Sequence, residues 1–567
     1  MTSAPAPRAG LIYADGSPVR TADVARIRAR ASLSGPSPSP FPYDAASLGG
    51  QEMANWWPFL RGPDTEINYD RDRMVARSRD LVRNDSWASG AISTALDSQI
   101  GWQFRLNCRP DSRALRTLDR RFDITWAAEF AAQVEAEWRL YADDPARWCD
   151  AGRKLTMTQL FYLAGRHKMV DGDALGMSLW APERREAAGA RYATTLQVID
   201  PDRLSNPFQR MDTHDQRGGV QIDDLGAPIG YHIRRAHQGD WFDAMRSMEW
   251  DFYPRETPWG RAVVIHDLDM DRADQHRGLG VLSACLGRFK MLAKFDQVSL
   301  QAAVLRTMVG FFIKSAFGAD DVESALRVDT DTKGNNYLAG PMSDYANFAA
   351  AARDQVTMGG ARIPVLAPNE DIATVRAGDA ATEFETFEAA FLRSIAAATG
   401  ASATELSKDY RRVNYSSARA DMLTAWRTLL RRRHGFAAGF ATPFYATWLE
   451  ELVVDHGRAR VPLPRGVSLA DYAQFRAAFA RCGWIGPGRG WVDPVKERQG
   501  EILGLEAGFG TLSRTCAEVS GSDWREDAEQ QAVERAYRAS LNLPQPDWAG
   551  GRNQAPAPAE EREDVEA

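Results

Sequence analysis

The chain has 567 residues, 44% of them hydrophobic, and a formal net charge of −7 at pH 7. This length and hydrophobic content predict a globular protein of several domains and exclude a disordered chain. A sequence pI near 5.8 excludes a polycation that coats nucleic acid, so any contact with DNA must be local.

The first elements follow a region without a folding pattern. Residues 1 to 50 are rich in Pro, Ser, Gly and Ala, which predicts a disordered N-terminal arm. From about Tyr69 the pattern predicts two helices, with Asn84 or Asp85 capping the second and Gly101 closing it. The alternation that follows predicts a half-buried strand.

The next region mixes helices and strands. Two helical patterns precede predicted strands at 194 to 200, 229 to 234 and 262 to 267, which are rich in β-branched residues. Apolar periodicity from 282 to 308 predicts a helix of roughly 25 residues, or two helices in series. Short strands and loops are expected from 311 to 375. These elements predict an α+β fold that is predominantly helical.

Two helical patterns joined by a polar loop form the centre of the chain. Residues 382 to 400 place apolar side chains on one helix face, with Thr382 and Glu385 at capping-box spacing and a glycine at the C-cap. The second pattern begins after the serines at 416 and 417 and continues to 452. Because Pro443 lacks a backbone donor, we expect this helix to bend between 439 and 443.

The polar loop begins a basic stretch. Residues 408 to 433 contain eight Lys or Arg and two Asp, in a chain that is acidic overall. Such a concentration of positive charge needs either an anionic partner or carboxylates within the protein. A solvated or salt-bridged helix face is an equal explanation on these residues alone.

The C-terminal region predicts further helices and an acidic tail. Asp493 is a predicted N-cap, with Pro494 at the first helical position. Residues 546 to 567 are rich in Pro, Ala and acidic residues, which predicts disorder.

Several segments resemble the portal proteins of tailed bacteriophages, in the family typified by the phage lambda portal. The segments are RSIAAATG, NYSSARA, VIDPDRL, VIHDLDMDRADQHRG and VDPVKE, and the resemblance extends from about residue 69 to 533. The residues that match two of the family's recognisable segments are Asn414, Tyr415, Ser416, Ser417, Arg419, Asp493, Pro494, Lys496 and Glu497. The resemblance gives them a structural role.

The resemblance implies a portal fold in a ring-shaped homo-oligomer. Its regions would be an N-terminal arm (1–50), an α+β wing (51–278), a helix leading into the stem (279–310), the clip (311–375), a stem helix (376–400), a tunnel loop (401–417), a long kinked helix (418–455), the crown (456–545) and a disordered acidic tail (546–567).

The implied function is that of a structural, non-enzymatic subunit. The ring, usually of twelve copies in this family, would stand at one capsid vertex, where double-stranded DNA is packaged and ejected and the terminase large subunit docks. Further expected partners are the major capsid protein or scaffold and a head-completion or tail-connector protein. The location would be the virion, after synthesis in the host bacterial cytoplasm.

The resemblance also suggests that Lys408, Arg411 and Arg412 lie on the tunnel loop and touch the DNA backbone. Contacts with a moving duplex should be few, electrostatic and independent of base sequence. The alternative is that these side chains pair with Asp409, Asp421 or glutamates of a neighbouring subunit and hold the ring together.

Other functions find little support. A terminase or nuclease would need a phosphate loop or a carboxylate cluster, and no G-x-x-x-x-G-K-[ST] occurs. Asp267, Asp269 and Asp271 lack the glycine and glutamate of a Ca²⁺ loop. We therefore predict no catalytic residue, metal or cofactor. A soluble bacterial adaptor is disfavoured only by the resemblance.

The cellular compartment is predicted from apolar runs and from the spacing of the cysteines. No run of about 18 uncharged apolar residues occurs, and the start lacks the apolar region of a signal peptide, so neither secretion nor a membrane span is expected. The five cysteines form no C-x-x-C pair, which predicts buried thiols in a reducing cell.

Overall fold

The computed structural model describes residues 56, 58 to 187, 189 to 307, 357 to 358, 361 to 362, 380 to 411, 414 to 454 and 461 to 544. The predicted N-terminal arm, most of the predicted clip, Arg412 and the predicted acidic tail lie outside these residues. Every helix and strand that the structure describes belongs to the unit that begins at Pro63.

Helices predominate among the described residues, which confirms the predicted fold class. The helices are α1 (Pro63–Asn84), α2 (Ser86–Gln99), α3 (Ser112–Leu115), α4 (Ile124–Ala142), α5 (Met157–Asp171), α6 (Pro182–Ala187), α7 (Leu286–Thr307), α8 (Ala380–Thr399), α9 (Ala403–Ser407), α10 (Tyr415–Phe436), α11 (Thr442–Val454), α12 (Leu469–Phe479), α13 (Pro494–Glu506), α14 (Leu512–Thr515) and α15 (Trp524–Ser540). The strands are β1 (Arg105–Cys108), β2 (Asp173–Trp180), β3 (Thr194–Ile199), β4 (Gln216–Arg217), β5 (Val220–Ile222), β6 (Pro228–Arg234), β7 (Trp250–Pro254), β8 (Val264–Leu268), β9 (Thr357–Met358), β10 (Ala361–Arg362) and β11 (Cys482–Ile485).

The first two helices confirm the predicted pair, although α1 begins at Pro63 and so ahead of the predicted start. Asp85 caps α2, since its side chain accepts a hydrogen bond from the backbone N–H of Ala88 at 2.9 Å. Of the two predicted caps, Asp85 is therefore the correct one. Gly101 closes the pair with a φ of +66°, a left-handed conformation that glycine adopts without strain.

Two antiparallel sheets follow, and strands β1 and β11, which are far apart in the sequence, form a separate pair. In the first sheet β2 lies between β3 and β8, and the second sheet has the order β4-β5-β6-β7. Strands β3, β6 and β8 confirm the three predicted strands to within two residues at each end. The strand predicted after Gly101 is β1, which pairs with β11 so that Leu106 lies opposite Trp484. Three of its four residues are buried, so the predicted half-buried alternation is wrong.

We call residues 415 to 454 the central helix, which consists of α10, a π-helical turn (Ala437–Ala441) and α11, and the core surrounds its C-terminal half. Nine of the thirteen residues of α11 are buried, so this helix is enclosed on all sides. Trp448 is fully buried, and its ring meets that of Trp138 from α4 edge-on at 5.0 Å between centroids. Aromatic packing thus joins α4 to the central helix.

Helix α8 confirms the predicted helix of 382 to 400, and Gly400 follows it with a φ of +71°. Its Phe387 contacts Phe295 of α7, with ring centroids 5.7 Å apart. Helix α8 begins two residues before Thr382. The predicted capping box of Thr382 with Glu385 stays a prediction, because the Thr382 side chain lies outside what the structure describes. Thr382 lies inside the first turn of the helix.

The central helix also starts earlier than predicted. Asn414 is its N-cap, so Ser416 and Ser417 lie in the first turn instead of preceding it. Near its middle, the backbone N–H of Thr442 donates to the carbonyl of Ala437, five residues back, which is π-helical geometry. Pro443 follows directly. The predicted bend stays a prediction, but the helix is irregular at the predicted place.

Candidate functional site

The predicted tunnel loop lies between α8 and α10. Ser402 caps the short helix α9, accepting a hydrogen bond from the backbone N–H of Glu405 at 3.1 Å. The Ser402 hydroxyl also donates to the carboxylate of Asp421. Asp421, one of the carboxylates predicted as an alternative partner for the basic residues, is therefore bonded to a serine of the same loop.

The two described basic residues of the loop differ in their surroundings. Lys408 is exposed and has a left-handed φ of +55°. Arg411 is also exposed, and its guanidinium contacts Asp409 at 2.9 Å and Glu385 of α8 at 3.0 Å. The structure thus brings Lys408 and Arg411 onto one exposed loop and pairs Arg411 with carboxylates of its own chain.

The NYSSAR segment forms the start of the central helix. The Asn414 side chain accepts a hydrogen bond from the backbone N–H of Ser417 at 2.9 Å. In return, the Ser417 hydroxyl accepts one from the backbone N–H of Asn414 at 3.1 Å. This reciprocal capping box fixes where the loop ends and the helix begins, a structural role for the segment.

The NYSSAR segment also contacts the VDPVKE segment. The Lys496 ammonium lies 5.8 Å from the centre of the Tyr415 ring, and Arg419 lies 3.9 Å from the carboxylate of Glu497. As predicted, Asp493 caps α13 and Pro494 is its first residue. Two segments about 80 residues apart in the chain, which the resemblance singled out separately, therefore form one contact.

Arg433 joins the far end of α10 to the body of the protein. Its guanidinium donates to the carbonyls of Gln99 at 2.9 Å, Ser98 at 2.7 Å and Pro487 at 2.8 Å, and it lies 5.2 Å from the Trp426 ring. Burial lowers the pKa of Arg433 to about 10. Pro487 belongs to the loop that follows β11.

A buried ionic network centres on Asp173, the first residue of β2. The carboxylate is fully buried and accepts hydrogen bonds from Arg71 at 2.8 Å, Arg277 at 2.7 Å and the backbone N–H of Gly278 at 2.5 Å. Although burial opposes ionisation, the Arg277 and Arg71 guanidiniums hold the pKa of Asp173 well below its usual range. Sequence reasoning did not identify this residue.

A second cluster contains groups of the kind that bind metals. Ligand atoms of His167, Asp171 and Asp200 all lie within 4.8 Å of one another. The guanidinium of Arg79 contacts Asp171 at 2.8 Å and is also bonded to Asp200. Because an arginine already supplies the cation, this arrangement is a salt-bridge cluster.

Two of the three aspartates considered for Ca²⁺ are likewise paired. The Lys168 ammonium lies 2.8 Å from Asp267 and 3.0 Å from Asp269.

Of the cysteines, Cys108, Cys149 and Cys285 are buried, as predicted, whereas the other two are half-buried. Among the helices that the structure describes, no stretch has the length and hydropathy needed to cross a bilayer.

These contacts define an α+β structural protein in which charged side chains join helices and strands from distant parts of the chain. A sequence model described as "Phage portal protein, lambda family" matches residues 49–433. The chain belongs to the lambda family of phage portal proteins. It is 31% identical over 505 residues to "Portal protein B" of Escherichia phage lambda, covering 89% of this chain and 91% of that protein.

Other relatives agree with this assignment. The "Portal protein" of Escherichia phage N15 is 30% identical over 506 residues, 89% of this chain and 92% of that protein. Both relatives are named portal proteins, neither a terminase nor a nuclease, and the chain is a structural protein rather than an enzyme. Among solved structures, a chain from "Virion of native gene transfer agent (GTA) particle" aligns with a TM-score of 0.37 at 13% identity, covering 83% of this chain and 94% of that one.

Proposed function

We propose that the chain forms a homo-oligomeric ring of roughly twelve copies at one vertex of a phage capsid, through which double-stranded DNA is packaged and ejected. The observation that carries this proposal is family membership, since the similarity to the lambda portal protein spans nearly the whole chain. A portal subunit contributes a channel and docking surfaces rather than chemistry, so the described clusters need only be structural.

For the proposed subunit we keep the region boundaries that were predicted from the sequence. Both sheets fall within the proposed wing, 51 to 278, and α8 falls within the proposed stem helix. The NYSSAR and VDPVKE contact would join the central helix to the proposed crown, 456 to 545. Proposed partners are the terminase large subunit, the major capsid protein or scaffold, and a head-completion or tail-connector protein. The subunit itself would be located in the virion.

We further propose that Lys408, Arg411 and Arg412 touch the DNA backbone inside the channel. The exposure of Lys408 and Arg411 on a loop between two helices supports this role. Arg411 is paired with Asp409 and Glu385, but solvent and salt screen such exposed pairs strongly. The guanidinium can therefore exchange a carboxylate for a passing phosphate at little cost.

The test replaces all three basic residues with Ala. Rings should remain intact by electron microscopy, whereas packaging or retention of DNA should change in a manner that depends on salt concentration. A matched control removes the exposed Arg113, Arg116 and Arg120, which lie outside the loop, and should leave DNA handling unchanged. Rings that fall apart, with unchanged DNA handling in surviving particles, would show that the loop holds subunits together.

A further inference from the structure

A basic cleft lies beside the buried Asp173 network. It has a volume of about 650 Å³ and is bounded by α1, the 204 to 212 loop, the β4 hairpin and the end of β6. Five arginines line it: Arg71, Arg210, Arg217, Arg234 and Arg277. Three aspartates also line it, so arginines outnumber carboxylates at its surface.

The aspartates of the cleft leave most of these arginines without a paired carboxylate. Asp64 is bonded to His276 at 2.8 Å, and Asp72, with 83% of its side chain exposed, lies 3.9 Å from the Arg71 guanidinium. Asp212 accepts hydrogen bonds from Asn68 at 2.7 Å and Asn206 at 2.8 Å. Of the three carboxylates, only the exposed one of Asp72 therefore pairs with an arginine of the cleft, and it does so with Arg71.

Three of the arginines lack an ion pair. Arg71 and Arg277 share Asp173, but Arg210, Arg217 and Arg234 have no carboxylate oxygen within 4.0 Å among the residues that the structure describes. A cluster of uncompensated guanidiniums is unusual in a protein with a net charge of −7. It indicates a site for an anion.

The buried members of the cleft have unused hydrogen-bond donors. Arg234 is only 2% exposed, lies 4.7 Å from the Trp250 ring, and its Nε has no acceptor among the described residues. The Nε of Arg71, which is 3% exposed, also has none. A buried donor without an acceptor is costly, and burial lowers the pKa of Arg234. A bound oxyanion would satisfy both groups.

The burial of these donors determines which kind of anion can reach them. The phosphates of a duplex lie on a wide, stiff surface and reach exposed arginines more readily than ones that are 2% and 3% exposed. A carboxylate on a flexible peptide can enter a narrow cleft and bind a guanidinium through two parallel hydrogen bonds. An acidic peptide therefore fits better than DNA.

The chain itself carries such a peptide. Residues 560 to 566 contain four Glu, one Asp and one Arg, and 15 residues separate them from Pro544, the last described residue. Fifteen extended residues span up to about 50 Å, enough to reach another face of the same subunit or a neighbour. We propose that this acidic segment binds in the cleft through its carboxylates. This proposal does not depend on the passage of DNA through the channel.

The test measures binding of a fluorescently labelled peptide of residues 557 to 567 by anisotropy. The receptor is the full chain with its five acidic residues from 560 to 566 changed to Gln or Asn, so that its own segment does not compete. Binding should weaken as salt rises. Arg234→Ala and Arg217→Ala should each weaken it about 10-fold or more, a factor that corresponds to one lost charged contact.

Arg235 provides a matched control, because it is adjacent to Arg234 but exposed and already paired with Glu249 at 2.7 Å and Asp251 at 2.8 Å. Arg235→Ala should bind the peptide as tightly as the parent receptor. If Arg234→Ala does not fold, the half-buried Arg217 decides the question.

Three outcomes would overturn the proposal. Unchanged affinity in Arg234→Ala and Arg217→Ala would show that the cleft is not the site. Equal binding of a peptide with Gln and Asn in place of its acids would show that carboxylates are not recognised. Binding of inorganic phosphate or duplex DNA, without binding of the peptide, would show that the cleft is a site for another anion and not for the acidic segment.

Discussion

Gly439 lies in the π turn of the central helix, where the turn packs against β8. A Cβ at this position would lie 2.1 Å from one carboxylate oxygen of Asp267 and 2.4 Å from its carboxyl carbon. Asp267 cannot easily move, because it is buried and its carboxylate is bonded to Lys168 at 2.8 Å. Gly439→Ala should therefore force the turn away from the sheet or break this ion pair.

The magnitude follows from comparison with Gly435, one turn earlier in the same helix. A Cβ at Gly435 would have its nearest contact at 3.9 Å, so Gly435→Ala should gain the usual helix-propensity benefit of about 1 kcal/mol. Gly439→Ala gains the same benefit but pays for overpacking, which typically costs about 1–3 kcal/mol. The two variants should thus differ in stability by about 1–3 kcal/mol.

The assay is thermal unfolding of both purified variants beside the parent protein, followed by circular dichroism at matched concentration. Gly435→Ala should unfold at the parent temperature or slightly above it, and Gly439→Ala clearly below Gly435→Ala. Equal shifts of both variants would refute the reasoning, because they would show that the close approach of the turn to Asp267 does not constrain position 439.

Three further predictions concern the network, the pH dependence and the proline. Asp173→Asn leaves Arg71 and Arg277 without a buried counter-charge, so it should lower the unfolding free energy by about 3–5 kcal/mol in denaturant titrations. Burial raises the pKa of Glu135 to about 7, so its ionisation destabilises the fold as pH rises from about 4.5 to 7, and Glu135→Gln should flatten that dependence in melting curves. Pro443→Ala should straighten the central helix and impair ring closure by electron microscopy; normal rings that package DNA would contradict this.

Local features of the fold were predictable because their causes lie within a few residues. The side chains of the N-caps Asp85 and Asp493 each accept a hydrogen bond from a backbone N–H three residues further along the chain. The residue type and its position before a helical pattern are therefore enough to predict the cap. Strand β3 was recognised because it is rich in β-branched residues. The start of α10 was misplaced because Ser is as good a cap as Asn, and only the reciprocal bonds of Asn414 with Ser417 distinguish them.

Features that depend on distant residues were not predictable. Strand β2 is buried along its first six residues, so it has no alternating pattern by which a strand could be recognised. The role of Asp173 depends on Arg71 and Arg277, each about 100 residues away. A single sequence reports periodicity and spacing but not which charges meet across such distances. The contact of Arg419 with Glu497 was hidden for the same reason.

The ion pairs of the loop bear on how a portal channel could hold DNA without trapping it. Arg411 has two carboxylates of its own chain, so binding either DNA or a neighbouring subunit would require it to exchange partners. Exchange between screened, exposed pairs is nearly neutral in free energy, which suits a contact that must form and break as a duplex advances. Cohesion of a ring would instead favour buried pairs, such as those of Asp173, which hold one arrangement. The exposure of the loop therefore favours the DNA role over cohesion.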